Sequence, residues 1–248
     1  MRSKKKSSVT DDAMEQNMED YQPRVFVSYS HEDKEIAASL KLQLEYAGMK
    51  AFLAHEDIEP GEEWKQAILK ELDSCDLLVP LITSSAASSP YVNQEIGFAL
   101  ARRVTILPFK IDTNPFGFVS EKQGMAPPKT WRRVTEGVVE VIDFAKSAQV
   151  IADKIANKPE LASRLRMSII NGLSDSKCFD ETECRVARLE KYLDLRPEEI
   201  KAVARAAIKN RQVYDSYKAQ KYMKKFVEKY EGDLLEELRV QIKSRYGI

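Results

Sequence analysis

The chain has 248 residues, 43% of them hydrophobic, and its 39 Lys and Arg residues balance its 39 Asp and Glu residues. A folded protein with one large domain or two modest ones is expected, and the charge balance disfavours nucleic acid or an acidic surface as the partner. The three cysteines, Cys75, Cys178 and Cys184, are too scattered for a disulfide framework, which indicates a reducing compartment.

The N-terminal segment has the composition of a disordered chain. Residues 1–22 are polar and charged with almost no large aliphatic side chains, and they predict a disordered arm. Basic residues stand near the start without an apolar segment behind them, and the sequence has no apolar run of the ~18 residues that a membrane span requires. We therefore expect a cytoplasmic protein with no membrane partner.

From Pro23 onward, apolar strands alternate with amphipathic helices. Strands are predicted at 24–30, 50–54, 76–83 and 104–111, and helices at 33–48, at 64–74 and from 88 onward. Strands that are continuous apolar runs, alternating with helices of this length, indicate a parallel sheet covered on both faces. The predicted fold class is therefore α/β, with a flavodoxin-like, doubly wound parallel sheet in a first domain over residues 23–158.

A less regular stretch follows the fourth strand. Residues 112–131 form a long loop rich in Pro and Gly, and loops of that length are usually functional or mobile. Residues 136–145 fit two interpretations, a short strand that runs into a helix or a helix throughout. The sequence alone leaves both open.

A small all-α domain is predicted at 159–248, where the pattern becomes helical only. Asp180 and Glu183 have the spacing of a capping box at the start of one helix, and Pro197 fits the first turn of the next. Two more helices are predicted by their apolar residues, one through Tyr222 and Phe226 and one through Leu234, Leu235 and Leu238.

Several kinds of site lack their sequence signatures. His31 and His55 are the only histidines, and no cysteine pair has metal-ligand spacing, so no metal site is expected. The nine glycines form no GxGxxG and no GxxxxGK motif, and there is no GxSxG elbow. Nicotinamide-dependent hydride transfer, NTP hydrolysis and serine-hydrolase chemistry are therefore disfavoured.

Glu95 stands where a carboxylate is unexpected. On a helix that begins near residue 88, with Ser89 as N-cap and Pro90 in the first turn, its nearest neighbours are all apolar: Tyr91, Val92, Phe98 and Ala99. This helix leaves the carboxyl rim of the predicted sheet, where the sites of open α/β sheets form. Glu95 is thus either an ordinary surface glutamate or a carboxylate beside a cleft, where apolar surroundings would raise its pKa.

Three motifs occur in order on this βαβαβα frame. The first strand contains "VFVSY", the loop after the second strand reads "EDIEPGEEW", and Tyr91 precedes Glu95 by four residues. Together they resemble the Toll/interleukin-1 receptor (TIR) domain in its prokaryotic form, over roughly residues 22–150. In that resemblance Tyr91 stands at the family's usual Trp and Glu95 at its catalytic Glu.

The resemblance implies an enzyme. Many TIR domains cleave NAD⁺ at the nicotinamide N-glycosidic bond, so the chain is expected to be an NAD⁺ glycohydrolase with Glu95 as its catalytic residue. Its products would be nicotinamide and ADP-ribose, or a cyclic ADP-ribose, with NAD⁺ as substrate and no cofactor. The resemblance also implies which residues contact the substrate: Tyr91, Phe52, Tyr29, Ser30, His31 and Gly61. Phe52 lies on the second strand, and core packing is its alternative role.

The resemblance further implies self-association. In such assemblies the Pro-Gly loop of one subunit meets its neighbour, and here that interface loop contains Asp57, Pro60 and Gly61. The protein would be a prokaryotic defence or toxin effector, activated when copies associate. The helical domain would be its regulatory or assembly part, with an unknown activating ligand or protein.

One departure and three alternatives accompany this hypothesis. Several TIR NADases carry arginines directly after the first-strand Tyr, where this chain has Ser30 and His31, so Lys110, Arg102 or Arg103 would have to supply the positive charge.

A non-catalytic TIR adaptor is the main alternative, although family adaptors generally lack the glutamate. A phosphoacceptor receiver domain would need acidic strand ends that the chain lacks, and DNA binding by the helical domain would rest on a small basic excess.

Overall fold

The computed structural model describes residues 22–53, 64–192 and 194–248. Within these ranges the chain forms two compact units, one of Pro23–Glu45 with Met49–Asn157, the other of Lys158–Ile248 with Tyr46–Gly48. The predicted N-terminal arm lies outside the described residues except for Gln22, and so do His55, Asp57, Pro60 and Gly61.

The first unit alternates strands and helices in the predicted order. Its parallel strands are β1 (Arg24–Ser28), β2 (Lys50–Leu53), β3 (Leu77–Ile82), β4 (Thr105–Ile106) and β5 (Phe109–Lys110). Its helices are α1 (Lys34–Tyr46), α2 (Trp64–Ser74), α3 (Ser84–Ala87), α4 (Pro90–Ala101) and α5 (Phe144–Ala156), with 3-10 turns at His31–Asp33 and Gly117–Val119.

The sheet has the order β2-β1-β3-β4, and all of its pairs are parallel. β5 continues the edge strand, because Leu77 pairs with Thr105 and Leu81 with Phe109 at one constant register. The interruption lies at Leu107 and Pro108, and proline has no N–H to donate to a ladder. The predicted doubly wound α/β sheet is confirmed, with its fourth strand in two pieces.

Strand order reverses between β1 and β3. The chain leaves β1 to form β2 on one side, then crosses over to form β3 on the other side of β1. The loops that follow β1 and β3 therefore diverge and open a crevice at their carboxyl ends, where open α/β sheets place their sites. Ser28 is the last residue of β1, and Thr83 directly follows β3.

The core lies between the sheet and its covering helices. All six residues of β3 are buried, as expected for a central strand with helices on both faces. On one face, Phe26 of β1 and Leu78 of β3 pack with Leu72 of α2 and with Val92 and Ile96 of α4. Burying side chains of this size stabilises the fold by about 1.5–3 kcal/mol each, and here it fixes α2 and α4 beside one another.

Two local features differ from the predicted ones. Lys129–Val134 (β6) and Gly137–Ile142 (β7) form an antiparallel hairpin, so the long loop ends at residue 128 and the strand interpretation of 136–145 is the right one. The charged sequence of β6 concealed it, because its residues are exposed on both faces and show no alternation. Helix α3 lies between the third predicted strand and the helix predicted from residue 88, where no element was predicted, and the Thr83 side chain caps it.

The second unit is helical throughout its described part. Its helices are α6 (Pro159–Gly172), α7 (Phe179–Leu189), α8 (Pro197–Lys209), α9 (Arg211–Asp215), α10 (Tyr217–Tyr230) and α11 (Glu236–Tyr246). Pro197 opens α8 as predicted. The predicted capping box was wrong, because α7 begins after Cys178 and Asp180 lies within its first turn. Among the described helices of both units, none has the length and apolar character to cross a bilayer.

Candidate active site at the carboxyl rim of the sheet

Helix α4 places Glu95 at the rim and buries it. The helix begins as predicted, with Pro90 at its first position and the Ser89 Oγ accepting a hydrogen bond of 3.4 Å from the Val92 N–H. Glu95 follows in the second turn with only 5% of its surface exposed, while the ring of Tyr91, one turn earlier, is 50% exposed. The exposed-surface interpretation of Glu95 is therefore wrong.

A neutral hydroxyl partners the buried carboxylate. The fully buried Ser28, at the end of β1, donates a hydrogen bond of 2.5 Å from its Oγ to the Glu95 Oε2. Burial raises the pKa of Glu95 to about 7, and the hydrogen bond from Ser28 opposes part of that rise. Near neutral pH, the carboxyl group therefore exists in both its charged and its neutral form.

Glu95 lines a small cleft between α2 and α4. The cleft has a volume of about 170 Å³, and it is lined by Lys65, Ile68, Leu69, Leu72, Tyr91, Gln94, Glu95 and Phe98. Most of these side chains are apolar, and Lys65 is the one cation among them. An apolar wall with a single carboxylate suits a ligand that carries or develops positive charge on an otherwise flat, apolar ring.

A larger and more polar cleft lies beside it, at the switch point between β1 and β3. Its volume is about 760 Å³, and it is lined by Ser30, His31, Glu32, Ser85, Ser88, Ser89 and Tyr91. Tyr91 thus belongs to both clefts and forms the wall that they share. The serine hydroxyls and the imidazole offer hydrogen-bond donors without a fixed positive charge.

A buried acid ties the two walls of the larger cleft together. Asp33, in the turn after β1, accepts hydrogen bonds at Oδ2 from the Thr83 Oγ1 (2.7 Å) and the Ser85 Oγ (3.0 Å), both in the segment after β3. Thr83 also caps α3, its Oγ1 accepting from the Ala86 N–H at 3.0 Å. These bonds hold the diverging loops at one separation and so fix the mouth of the crevice.

The predicted site residues fall into three groups. Tyr91 and Glu95 line the small cleft, and Ser30 and His31 line the larger cleft with Tyr91. Tyr29 and Phe52 line neither cleft: Tyr29 is buried, and the Phe52 ring packs against the Phe26 ring with their centroids 5.3 Å apart. Gly61, with Asp57 and Pro60 of the predicted interface loop, lies outside the described residues.

The arginines and lysine considered as sources of positive charge also lie elsewhere. Arg102 forms an ion pair with Asp73, and neither Arg103 nor Lys110 lines either cleft. Lys65, which was not among the predicted site residues, lines the small cleft instead. Ser28 was also missed as a partner of Glu95, although its place at the end of β1 put it at the predicted rim.

The described residues contain no group of three or more His, Cys, Asp or Glu side chains arranged to hold a metal ion. The fold and the two clefts define an α/β domain with a buried, ionisable carboxylate at the carboxyl rim of a doubly wound sheet.

Comparison with known families identifies that domain. Residues 25–149, half of the chain, match the TIR domain, and the protein therefore belongs to the TIR domain family. The predicted recognition of this family is confirmed. No curated protein matches the chain.

Two solved structures of TIR domains are similar to the chain, each with a TM-score below 0.5. The TIR domain of the Toll-related receptor TRR-2 from the lower metazoan Hydra magnipapillata is 18% identical, with a TM-score of 0.38 over 41% of this chain and 81% of that one. The TIR domains of the activated Roq1 resistosome, which directly recognises the pathogen effector XopQ, are 16% identical, with a TM-score of 0.36 over 68% of this chain and 98% of that one. At these scores neither likeness bears on activity.

Proposed function

We propose that this TIR protein is an NAD⁺ glycohydrolase that breaks the bond between nicotinamide and ribose, with Glu95 as its catalytic carboxylate. The products are nicotinamide and ADP-ribose or a cyclic ADP-ribose. The observation that carries the proposal is the state of Glu95: it is 5% exposed, it lines a cleft at the carboxyl rim, and its pKa is raised to about 7. Perturbed carboxyl groups in clefts are typical of functional sites.

One carboxylate is sufficient for this reaction. Ordinary glycosidases need a second carboxyl group because an alcohol leaving group must be protonated. Nicotinamide leaves from a nitrogen that is already cationic: the C–N bond breaks, its electron pair neutralises the ring, and positive charge develops on the ribosyl carbon. Water then adds to that carbon and releases a proton to give ADP-ribose, or a nitrogen of the adenine adds to give the cyclic product.

The apolar setting of Glu95 strengthens its action on that developing charge. Ile68, Leu69 and Leu72 of α2 line the small cleft beside it, and charges attract more strongly where water is excluded. A carboxylate fixed in such a place stabilises a developing cation without having to reorient solvent. Although burial raises its pKa to about 7, the carboxyl group can still carry this charge at neutral pH.

In this proposal, different parts of NAD⁺ bind in the two clefts. Typical ligand pockets have volumes of about 300–1,000 Å³. The small cleft is below this range, and the larger cleft is within the range. The nicotinamide and its ribose would lie against Tyr91 and Glu95. The phosphates would lie in the larger cleft, where Ser30 and His31 replace the arginines of other family members with neutral donors. Tyr29 and Phe52 would support the sheet from the core.

The proposed biological role is taken from the resemblance to prokaryotic TIR proteins. We place the protein among prokaryotic defence or toxin effectors that act in the cytoplasm after self-association, with the loop of Asp57, Pro60 and Gly61 as the interface. The helical unit would be the regulatory or assembly part, responding to an activating ligand or protein.

Turnover of NAD⁺ by the concentrated full-length protein tests the enzymatic proposal. Nicotinamide release is followed by chromatography for the unmodified chain, for Glu95→Gln and for the control Glu136→Gln, which changes an exposed glutamate in the turn between β6 and β7. We expect Glu95→Gln to lose at least ~100-fold in turnover, as when one preorganised electrostatic group is removed, and Glu136→Gln to stay within twofold. Equal turnover by Glu95→Gln and the unmodified chain would remove Glu95 from the mechanism.

The small size of the cleft beside Glu95, about 170 Å³, favours one other function, that of a non-catalytic adaptor acting by TIR–TIR docking. An adaptor would associate with itself without consuming NAD⁺. Self-association measured by sedimentation, without nicotinamide release at any protein concentration, would support the adaptor over the enzyme.

A further inference from the structure

Ser28 holds a position that the proposed reaction leaves unexplained. It is fully buried at the carboxyl end of β1, and its hydroxyl contacts a residue 67 positions away on α4. Among the described residues, this is the one hydrogen bond that the structure gives to the Glu95 carboxylate. Central strands usually end in apolar or backbone-bonded residues, so a hydroxyl aimed at a buried acid calls for a role.

The contact fixes both the place and the direction of the carboxylate. A glutamate has three rotatable side-chain bonds, and a hydrogen bond to one of its oxygens from a rigid central strand restricts all three. The bond of 2.5 Å engages Oε2. The other oxygen is then the one that remains for a ligand in the small cleft.

We propose that Ser28 is a positioning residue, which holds Glu95 toward the small cleft through Oε2 and keeps its charged form accessible at neutral pH. This inference rests on the proposed function for its catalytic consequence, but the contact itself is independent of that function. A hydroxyl donor favours the ionised carboxylate over the neutral acid, and in an apolar site it partly replaces the water that burial has removed.

The described titratable side chains that line the two clefts, besides Glu95, lie on α2, on α4 and in the turn after β1. Lys65 of α2 and Tyr91 of α4 line the same cleft as Glu95. His31 and Glu32, in the turn after β1, line the adjoining cleft. Substitutions at Glu95 and at His31 therefore assign an observed titration midpoint to its residue.

The first measurement needs no catalytic activity. In the full-length chain with ¹³C-labelled glutamate carboxyl groups, the Glu95 signal is identified by its loss in Glu95→Gln and titrated by NMR. We expect Ser28→Ala to raise the Glu95 midpoint by about one pH unit, the effect of losing one hydrogen bond to the charged form. Ser28→Thr, which keeps the hydroxyl, should restore it, and His31→Gln should leave it in place.

A matched control separates this contact from the loss of any buried hydroxyl. Ser147 of α5 is also fully buried, and its Oγ donates a hydrogen bond of 2.8 Å to the Asp143 carbonyl oxygen in the same unit. Ser147→Ala should leave the Glu95 midpoint unchanged, with thermal unfolding confirming that each variant is folded. An unchanged midpoint in a folded Ser28→Ala variant would overturn the inference.

The second measurement is the pH dependence of nicotinamide release. Because the charged form of Glu95 is required, activity should fall as the pH drops through about 7 in the unmodified chain, and at a pH about one unit higher in Ser28→Ala. The kcat of Ser28→Ala should also fall more than its KM changes, because the carboxylate is less well positioned. If the unmodified chain has no turnover, the proposed function fails while the NMR titration still decides the role of Ser28.

Discussion

Among the described residues each unit of the protein buries one glutamate, and the two behave in opposite ways. Glu95 of α4 is 5% exposed and Glu199 of α8 is 1% exposed. The pKa of Glu95 is raised to about 7, whereas that of Glu199 is lowered to about 2. Burial is nearly the same at both sites, so it cannot by itself decide the charge of a buried carboxyl group.

The neighbours account for the difference. Burial pushes the pKa of Glu199 upward, but hydrogen bonds from Arg166 and Arg196 outweigh it. Arg166 donates from Nε to Oε1 at 2.8 Å and from Nη2 to Oε2 at 2.5 Å, and Arg196 donates from its backbone N–H and its Nη2, both at 2.8 Å. Glu95 has the neutral hydroxyl of Ser28 instead.

The comparison separates a structural carboxylate from one that is available for chemistry. Both oxygens of Glu199 are occupied by cationic donors, and this arrangement fastens α6 to the start of α8. Glu95 lines a cleft, and among the described residues only the Ser28 hydroxyl donates a hydrogen bond to its carboxylate. A buried charge without a cation costs free energy, and folds retain such a cost mainly at functional sites.

The largest expected effect is the loss of the Glu199 network. Glu199→Ala removes one partner of a buried ion pair and should lower the free energy of unfolding of the helical unit by about 3 kcal/mol. Urea unfolding followed by circular dichroism measures this change. The control is Glu198→Ala, which removes an exposed partner of Arg196 at 3.3 Å and should cost less than about 0.5 kcal/mol. Similar losses in the two variants would contradict the assigned role.

The loss of stability caused by Glu199→Ala should depend on pH. A carboxyl group whose folded pKa lies below its reference value of 4.5 stabilises the fold above that value and loses this contribution as the pH falls toward about 2. The difference in stability between Glu199→Ala and the unmodified chain should therefore be full at pH 7 and shrink between pH 4.5 and 2. A difference that stays constant over this window would exclude the ion pair as its source.

Glu95→Gln should have an effect of the opposite sign. A carboxyl group whose folded pKa lies above 4.5 destabilises the fold progressively as the pH rises from 4.5 to about 7, because only the unfolded chain releases its proton in that range. The amide cannot ionise, so the variant should be more stable than the unmodified chain by about 3 kcal/mol at pH 8 and nearly equal to it at pH 4.5. Thermal or urea unfolding at both pH values measures this, and a variant that is less stable at pH 8 would refute it.

The smallest expected effect comes from adding a second cation, besides Lys65, to the cleft that Glu95 lines. Leu69 lies on α2 in the wall of the small cleft, and Leu69→Arg would bring a guanidinium toward the carboxylate. The pKa of Glu95 should fall by about one unit, which the NMR titration described above would register. Leu42→Arg, at an exposed leucine of α1, adds the same charge outside that cleft and should leave the titration unchanged. Equal shifts in the two variants would show a general charge effect.

Periodicity along the chain predicted one of these glutamates and not the other. The apolar neighbours of Glu95 follow from helical spacing within a single segment, so the sequence was enough to mark it. Glu199 follows Pro197 and Glu198 at the start of a helix, where acidic residues are normally solvated and complement the helix dipole. Its burial depends on Arg166 from another helix, which spacing within α8 cannot indicate.

Contacts between distant segments also limited how much of the rest of the fold could be predicted from the sequence. Helices α1, α2 and α4 and the central strands β1 and β3 were predicted within a few residues because each displays its own apolar pattern, whereas the short helices α3 and α9 were not predicted. Ser28 and Glu95 are joined by the order of the sheet, and that order is decided by contacts between distant segments. The β6–β7 hairpin was only half predicted, because β6 carries charged residues on a surface that nothing among the described residues covers.

The long segment between β5 and β6 has a consequence for how copies of the protein can meet. It returns Met125 to the outer side of β5, where the Met125 N–H donates to the Pro108 carbonyl at 2.7 Å and the Lys110 N–H donates to the Met125 carbonyl at 2.9 Å. An open strand edge is a template on which foreign strands polymerise. Here Met125 occupies the outer side of β5 from within the molecule, so this stretch of the edge is not open to a strand from another copy of a protein that is proposed to work as an assembly.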